Sequence, residues 1–308
     1  MDNLTHSLVG AVLGQAGLKR TTGLAMPALI IGANLPDVDA ACFFWLEGTE
    51  HLAFRRGITH GPPALVLLPL VLAGLLWGWD RWQTRRGTRP EARLPVRFGW
   101  LYAMAFIGCL SHPALDWLNV YGIRLLEPFS SEWFYGDTLF IIDVWLWAIL
   151  IGSVWVSRRR EKAGAEWMRP ARVGIAAMLA YIGANSVISA QKPEPVAGSA
   201  SVIASPLPVL SLSREMLSGD RNGWNYWHDS AQNWAPLVDP KEVCAWPDLT
   251  ETRRTNSQLD AFLFWSRAPF AVRAADGTVI LYDARFYDPR GRGRFSVALP
   301  DVRCVTLP

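Results

Sequence analysis

Long apolar stretches dominate the first 190 residues of this chain, and they limit what it can fold into. Residues 62–79 contain no charged side chain, and residues 98–120, 138–157 and 173–190 are almost as apolar. About 20 apolar residues is the length that an α-helix needs to cross a membrane. The chain is therefore predicted to be a membrane protein, mainly α-helical, with a polytopic bundle of about five or six apolar helices.

Two more apolar stretches precede these four, and both are irregular. Residues 4–18 are short for a complete span, and residues 23–46 are interrupted at Pro36. A proline removes a backbone donor and restricts the residue before it, so a helix is expected to break there. Some helices of the predicted bundle are therefore short or broken.

Lysine and arginine are distributed unevenly between the loops. The loops at 80–97 and 158–172 contain six basic residues each, whereas those at 47–61 and 121–137 contain three arginines between them. Loops rich in basic residues stay on the cytoplasmic side of a membrane. This pattern predicts a multi-pass protein of the bacterial inner membrane, with the chain after residue 190 in the periplasm.

The composition changes after residue 190, where Pro193 and Pro195 indicate a linker. Three later segments have strand-like patterns: 261–274, 278–285 and 295–299. Asp276-Gly277 between two of them is typical of a hairpin turn. We therefore expect two domains, a transmembrane helical domain with a metal site over 1–190, and a linker with a small periplasmic β-rich domain over 191–308.

The four cysteines lack the CxxC spacing of a thiolate zinc site. Cys244 and Cys304 could form a disulfide if their domain is extracytoplasmic. Two unpaired thiols are an equal alternative.

Histidine and aspartate residues lie within or beside the apolar stretches, where ionisable groups are costly and usually mark a functional site. The predicted topology places seven of them on the outer side of the membrane: His6, Asp37, Asp39, His60, His112, Asp116 and Asp143. Imidazole and carboxylate are metal ligands. The first six of these residues are the main candidate ligands for one or two divalent ions, with zinc favoured and manganese as an alternative.

The spacing within two pairs supports this interpretation. His112 and Asp116 are four residues apart, so on a helix they share one face and can bind one ion. Asp37 and Asp39 would point the same way in an extended or broken segment, where two carboxylates repel each other unless a cation neutralises them. The alternatives are a polar helix–helix contact for the first pair and a helix cap for the second.

Three further residues are candidates for catalytic roles. Asp143 is a candidate ligand, a partner that orients an imidazole, or a general base. Arg55 and Arg56 either hold an anionic group of the substrate or contact lipid headgroups.

These residues belong to motifs that resemble the YdjM-like family of inner-membrane proteins, whose members are described as metal-dependent hydrolases. In chain order the motifs are Asp2-x-x-Thr5-His6-x-x-x-Gly10, Asn34-Leu35-Pro36-Asp37-x-Asp39, Arg56-Gly57-x-Thr59-His60, His112-Pro113-x-x-Asp116, Asn119-x-Tyr121-Gly122 and Pro128-Phe129-Ser130, followed by Trp133 and Asp143. The resemblance covers about residues 1–190 and implies a membrane metal centre. One departure is Gly61, where the family commonly has a serine, so a substrate contact by that hydroxyl is absent here.

The sequence therefore predicts a metal-dependent hydrolase that acts at the outer leaflet on a lipid or lipid-linked substrate. A phosphoester is modestly favoured over an ester or amide, because His112-x-x-x-Asp116 is also similar to the zinc-dependent phospholipase C and nuclease group. One alternative is a non-catalytic metal- or lipid-binding envelope protein. A proton-coupled transporter is disfavoured, because its titratable groups would be spread across the bilayer. No nucleic-acid partner is expected.

Overall fold

The structure is a computed structural model that describes residues 1–210, 212–288 and 291–306. It divides into two compact units. The first unit comprises Met1–Asp39, Arg56–Val187 and a short stretch from Pro208. The second unit comprises Ala40–Arg55, Ile188–Leu207 and the chain from Leu212 onwards.

The first unit is helical over most of its described residues. Its helices are α1 (Asn3–Gln15), α2 (Ala25–Gly32), α4 (Pro62–Arg86), α5 (Phe98–Trp117), α6 (Val144–Lys162) and α7 (Met168–Ala190, which runs just past the end of the unit). Helix α3 (Glu50–Phe54) belongs to the second unit. Short 3₁₀ helices occur at Leu18–Arg20, Leu35–Phe44 and Ile58–His60.

Three described helices, α4, α5 and α7, are long and apolar enough to cross a membrane. A fourth candidate is the pair of α2 and the 3₁₀ helix Leu35–Phe44, which is bent by 49° at the break predicted around Pro36. The described residues therefore contain three helices that could cross a membrane, or up to four if the bent pair is one span, which is compatible with a membrane protein.

The predicted span at 138–157 is displaced along the chain. Asp143 accepts hydrogen bonds from the backbone N–H groups of Trp145 and Leu146, so α6 begins only at Val144. Its last turns then include charged residues up to Lys162, which excludes α6 from the span-capable helices among the described residues.

Close packing of α1, α2 and α5 brings the predicted site residues towards one another. A Cβ atom at Gly10 of α1 would lie 2.7 Å from the Leu29 carbonyl oxygen of α2. A Cβ atom at Gly32 would lie 2.6 Å from the carbonyl oxygen of Ala105 in α5. Glycine at these two positions therefore allows backbone contact between helices.

The second unit contains two antiparallel sheets. The first has the order β1 (Val202–Pro206), β2 (Arg214–Asp220), β3 (Gly223–His228) and β4 (Asn233–Pro236). The second has the order β5 (Pro269–Arg273), β6 (Thr278–Asp283) and β7 (Ser296–Arg303). The hairpin turn predicted at Asp276-Gly277 is confirmed, and Gly277 supplies its positive φ of 81°.

The prediction of a strand over 261–274 was partly wrong. Helix α8 (Thr250–Thr255) and helix α9 (Ser257–Trp265) precede the strand, which is shortened to β5. Leu259, Phe262 and Trp265 recur at helical spacing and are buried, and the Asn256 side chain caps α9. The apolar residues of this segment therefore form one helical face before the strand begins.

Cys244 and Cys304 form a disulfide in the second unit, which decides between the two alternatives left open by the sequence. The bond joins the segment before α8 to the end of β7. Backbone bridges from Val243 to Val272 and from Cys244 to Thr306 lie beside it.

Candidate metal centre

Three imidazole rings from separate segments meet inside the first unit. His6 comes from α1, His60 from the 3₁₀ helix Ile58–His60, and His112 from α5. The His6 and His112 rings are stacked with their centroids 3.7 Å apart, and the His60 and His112 centroids are 5.1 Å apart. All three residues are completely buried.

The hydrogen bond of His112 determines which of its ring nitrogens is available to a metal. Nδ1 lies 2.7 Å from the carbonyl oxygen of Ala33, which can only accept a hydrogen bond. Nδ1 must therefore carry the proton, so a neutral His112 presents Nε2 as an unprotonated ligand atom. This Nε2 lies 3.8 Å from Oδ1 of Asp37 and 3.6 Å from Oδ2 of Asp116.

His60 is oriented by a two-step chain of hydrogen bonds. The Thr59 hydroxyl donates to Oδ2 of Asp39 at 3.1 Å, and its oxygen lies 3.0 Å from Nδ1 of His60. When the Thr59 hydroxyl donates its proton to Asp39, its oxygen acts as the acceptor towards His60, so Nδ1 of His60 carries a proton and donates it to Thr59. This arrangement turns Nε2 of His60 towards the cluster, 3.9 Å from Oδ2 of Asp116.

Two carboxylates complete the cluster. His6, Asp37 and His112 form one group of potential ligand atoms that lie within 4.8 Å of one another. His60, His112 and Asp116 form a second group under the same limit. His112 is common to both groups and therefore lies at the centre of the site.

The buried polar atoms of this cluster fit a metal ion. Both ring nitrogens of His6 and Nε2 of His112 lack a hydrogen bond among the described residues, although Nε2 of His6 lies 3.3 Å from Oδ1 of Asp116. A buried polar atom without a partner is costly, and such atoms are rare in folded proteins. A divalent ion bound by Nε2 of His112, one ring nitrogen of His6 and the neighbouring carboxylates would remove most of that cost.

The Arg56 guanidinium forms an ion pair with the Asp116 carboxylate. Its Nε lies 3.0 Å from Oδ2 of Asp116, and its Nη1 donates to Oδ1 of Asn119 at 3.0 Å. The guanidinium also lies over the Tyr121 ring, 4.5 Å from the centroid. The amine of Met1 contacts the other oxygen of Asp116. The Arg56 guanidinium therefore holds the Asp116 carboxylate in place through Oδ2.

The remaining predicted site residues have other surroundings. The Asp143 carboxylate caps α6 and accepts hydrogen bonds from the Tyr181 hydroxyl at 2.8 and 3.0 Å. Arg55 belongs to the second unit, where its guanidinium lies 5.5 Å from the centroid of Phe43. Asp39 accepts from Thr59 and from the backbone N–H of Arg56, and lies outside both groups of potential ligands.

Sequence reasoning expected Asp37 and Asp39 to point the same way, and the structure separates them. They lie on a 3₁₀ helix, in which positions two apart are rotated by about 240°. Asp37 consequently faces His112, and Asp39 faces His60 and Thr59.

The role of Thr59 was missed by sequence reasoning, although its position beside His60 in the Arg56-Gly57-x-Thr59-His60 motif was a usable signal. A hydroxyl next to a ligand histidine can bridge it to a carboxylate.

The comparison with protein families is consistent with this cluster. A family model described as YdjM inner membrane protein matches residues 1–192, which include every cluster residue. No curated protein and no solved structure matches the chain significantly.

Proposed function

The chain belongs to the YdjM family of inner membrane proteins, and we propose that it is a metal-dependent hydrolase whose active site is the buried His/Asp cluster. The observation that carries the proposal is the convergence of His6, His60 and His112 with Asp37 and Asp116 from distant segments. Imidazole and carboxylate are the ligands of catalytic zinc sites, and they also suit manganese.

His112 limits how many ions the cluster can bind at once. Its Nδ1–H is engaged with the Ala33 carbonyl, so only Nε2 is available to a metal. Since one imidazole nitrogen ligates one ion, both groups of ligands cannot use His112 simultaneously. We therefore favour a single zinc ion held through His112, with a second ion requiring ligands other than His112.

The ion, when bound, would lower the pKa of a bound water and polarise a phosphoryl or acyl oxygen. The protein residues around it hold the ligands in position. Asp39 and Thr59 orient His60, and Arg56 with Asn119 orients Asp116. Arg56 also adds positive charge beside the cluster, which favours an anionic substrate group. Asp143 acts as the cap of α6 in this proposal, and no proton transfer is assigned to it.

A lipid or lipid-linked phosphoester is the substrate class that we propose. The cluster is built on helices of a membrane protein, so a substrate could enter from the bilayer. The charge distribution of the loops favours the outer leaflet for the site and the periplasm for the second unit. The disulfide between Cys244 and Cys304 supports the same side, because disulfides persist in oxidising compartments.

The first test is the metal content of the detergent-purified protein, measured by elemental mass spectrometry. We expect near-stoichiometric zinc or manganese in the wild type and its loss in His112→Ala and Asp37→Ala. His51→Ala is the matched control, because this histidine belongs to the second unit and bonds to the Gly48 carbonyl. Unchanged metal content in both site variants would rule out the centre.

Hydrolysis is then tested with phospholipid vesicles, a polyprenyl phosphate and bis(4-nitrophenyl) phosphate. The proposal expects turnover that requires both the metal and His112. A protein that binds stoichiometric metal and hydrolyses none of these substrates would instead be a non-catalytic metal-binding envelope protein.

A further inference from the structure

A groove of about 790 Å³ lies on the second unit and plays no part in the metal centre. One wall is formed by the indole rings of Trp227 and Trp234. The other wall is the proline-containing segment around Glu194. Three amide side chains, Asn225, Gln232 and Asn233, also line it.

The β3–β4 hairpin explains why the two indoles stand together. Trp227 and Trp234 are directly opposite each other in the antiparallel register. Their centroids are 5.2 Å apart and their planes are inclined by 70°. Side chains alternate along β3, so Trp224 and Tyr226 pack in or against the apolar core while Trp227 points to the opposite face.

The proline-containing wall is attached to the sheet by specific hydrogen bonds. The indole N–H of Trp234 donates to the Glu194 carbonyl oxygen at 2.9 Å. The backbone N–H of Val196 donates to the Ser218 hydroxyl at 3.0 Å. Both walls are therefore held in place before any ligand arrives.

The chemistry of the lining favours an uncharged polyhydroxylated ligand. Indole faces offer flat apolar surface. One N–H of Asn225 and one of Gln232 donate to the Ser218 and Asp229 carbonyl oxygens, and the other N–H and C=O groups of the three amides offer donors and acceptors to a ligand. No lysine or arginine occurs among the described lining residues, and Glu194 carries a negative charge, so the groove opposes an anionic ligand. A pyranose ring has an apolar C–H face and a rim of hydroxyls, which match the two kinds of surface.

We propose that this groove is a saccharide-binding site, with a sugar ring stacked on Trp227 or Trp234 and its hydroxyls bonded to the neighbouring amides. A proline-rich peptide is the main competitor, because such peptides also dock in aromatic grooves. It is disfavoured because the Trp234 N–H, a donor that a peptide carbonyl would need, is already bonded to Glu194.

Binding of chitohexaose and maltohexaose to the detergent-purified full chain, measured by isothermal titration calorimetry, tests this proposal. We expect the wild type to bind at least one of them, and Trp227→Ala and Trp234→Ala to weaken that binding about tenfold or more. Trp227→Phe keeps an aromatic face and should retain most of the affinity. Asn233→Ala, at an exposed position, should weaken binding without disturbing the sheet.

Trp246→Ala is the matched control, because Trp246 is a half-buried tryptophan of the same unit that contacts Arg221 outside the groove. It should leave saccharide affinity unchanged. The proposal is overturned if the wild type binds neither hexasaccharide, or if Trp227→Ala, Trp234→Ala and Asn233→Ala all bind as the wild type does. Preferential binding of decaproline over both saccharides would also overturn it.

Discussion

Both units of this chain bury ionisable side chains, but they treat them in opposite ways. In the second unit, Asp283 and Arg285 are fully buried and bonded to each other through Nη2 and Oδ2 at 2.7 Å and through Nε and Oδ1 at 2.8 Å. Ser266 donates a further hydrogen bond to the same carboxylate at 2.6 Å. In the first unit, His6 and His112 have buried ring nitrogens without hydrogen-bond partners among the described residues.

The pKa of Asp283 reflects this complete pairing. Burial by itself raises the pKa, but the charge of Arg285 and the hydrogen bonds from Arg285 and Ser266 outweigh burial and leave the pKa below its ordinary value. The contrast indicates that the second unit buries charge to fix its own fold. The first unit instead holds buried ring nitrogens that no hydrogen bond among the described residues satisfies, which fits the proposed metal ion.

Among the substitutions that test this contrast, the largest loss of stability is expected for a substitution of Asp283. Asp283→Asn leaves the Arg285 guanidinium buried without its anion, which costs about 3–5 kcal/mol of unfolding free energy. Thermal unfolding monitored by tryptophan fluorescence measures it, since Trp265 lies 4.7 Å from the guanidinium. Asp260→Asn removes the exposed partner of Arg253 and should leave the melting temperature unchanged. If Asp283→Asn and Asp260→Asn had the same melting temperature, the buried Asp283–Arg285 pair would not stabilise the fold, and the contrast between the two units would not hold.

A smaller effect is expected at Thr59, which orients the proposed ligand His60 but is not itself a proposed ligand. Thr59→Val keeps the shape of the side chain and removes the hydroxyl between Asp39 and His60. We expect metal affinity to fall about 10–100-fold, as for other residues that orient a ligand. Competition with a chelator measures the affinity. Thr21→Val, which removes a hydroxyl bonded to the Leu18 carbonyl, is the control and should bind metal normally.

The smallest change in stability is expected at His6. His6→Phe keeps a ring stacked on His112 but removes two buried nitrogens that have no hydrogen-bond partner among the described residues. With EDTA present, we expect the free energy of unfolding to change by about 1 kcal/mol or less, because apolar replacement of a buried polar group is often neutral. Metal binding should nevertheless weaken strongly. A loss of several kcal/mol in EDTA would show that His6 is a structural residue like Asp283.

The sequence allowed prediction of this site where the signal was local. His112 and Asp116 share a helical face because they are four residues apart, and the break at Pro36 follows from the missing proline N–H. The convergence of histidines from different segments was inferable only through topology and family resemblance. Neither could show that Arg56 pairs with Asp116, because that contact depends on how α5 packs.

The second unit was predicted less well for a physical reason. The four-stranded sheet β1–β4 has polar and aromatic residues on its outer face, so its strands lack the simple alternation that marks a half-buried strand. Helix α9 and strand β5 lie in one apolar stretch of the sequence, and the spacing of its apolar residues did not show where the helix ends and the strand begins. Trp265 is the last residue of α9 and Phe270 lies in β5, and both are fully buried.

The backbone leaves the metal centre at Asp39 and returns to it at Arg56, whose N–H donates to the Asp39 carboxylate at 2.8 Å. The excursion between them is therefore closed at its base by a hydrogen bond to the same carboxylate that accepts from Thr59. Within the second unit, Leu52 is fully buried and the Thr49 hydroxyl donates to the Gln258 carbonyl oxygen at 2.8 Å, so packing limits substitution in this segment even though its two ends are held together.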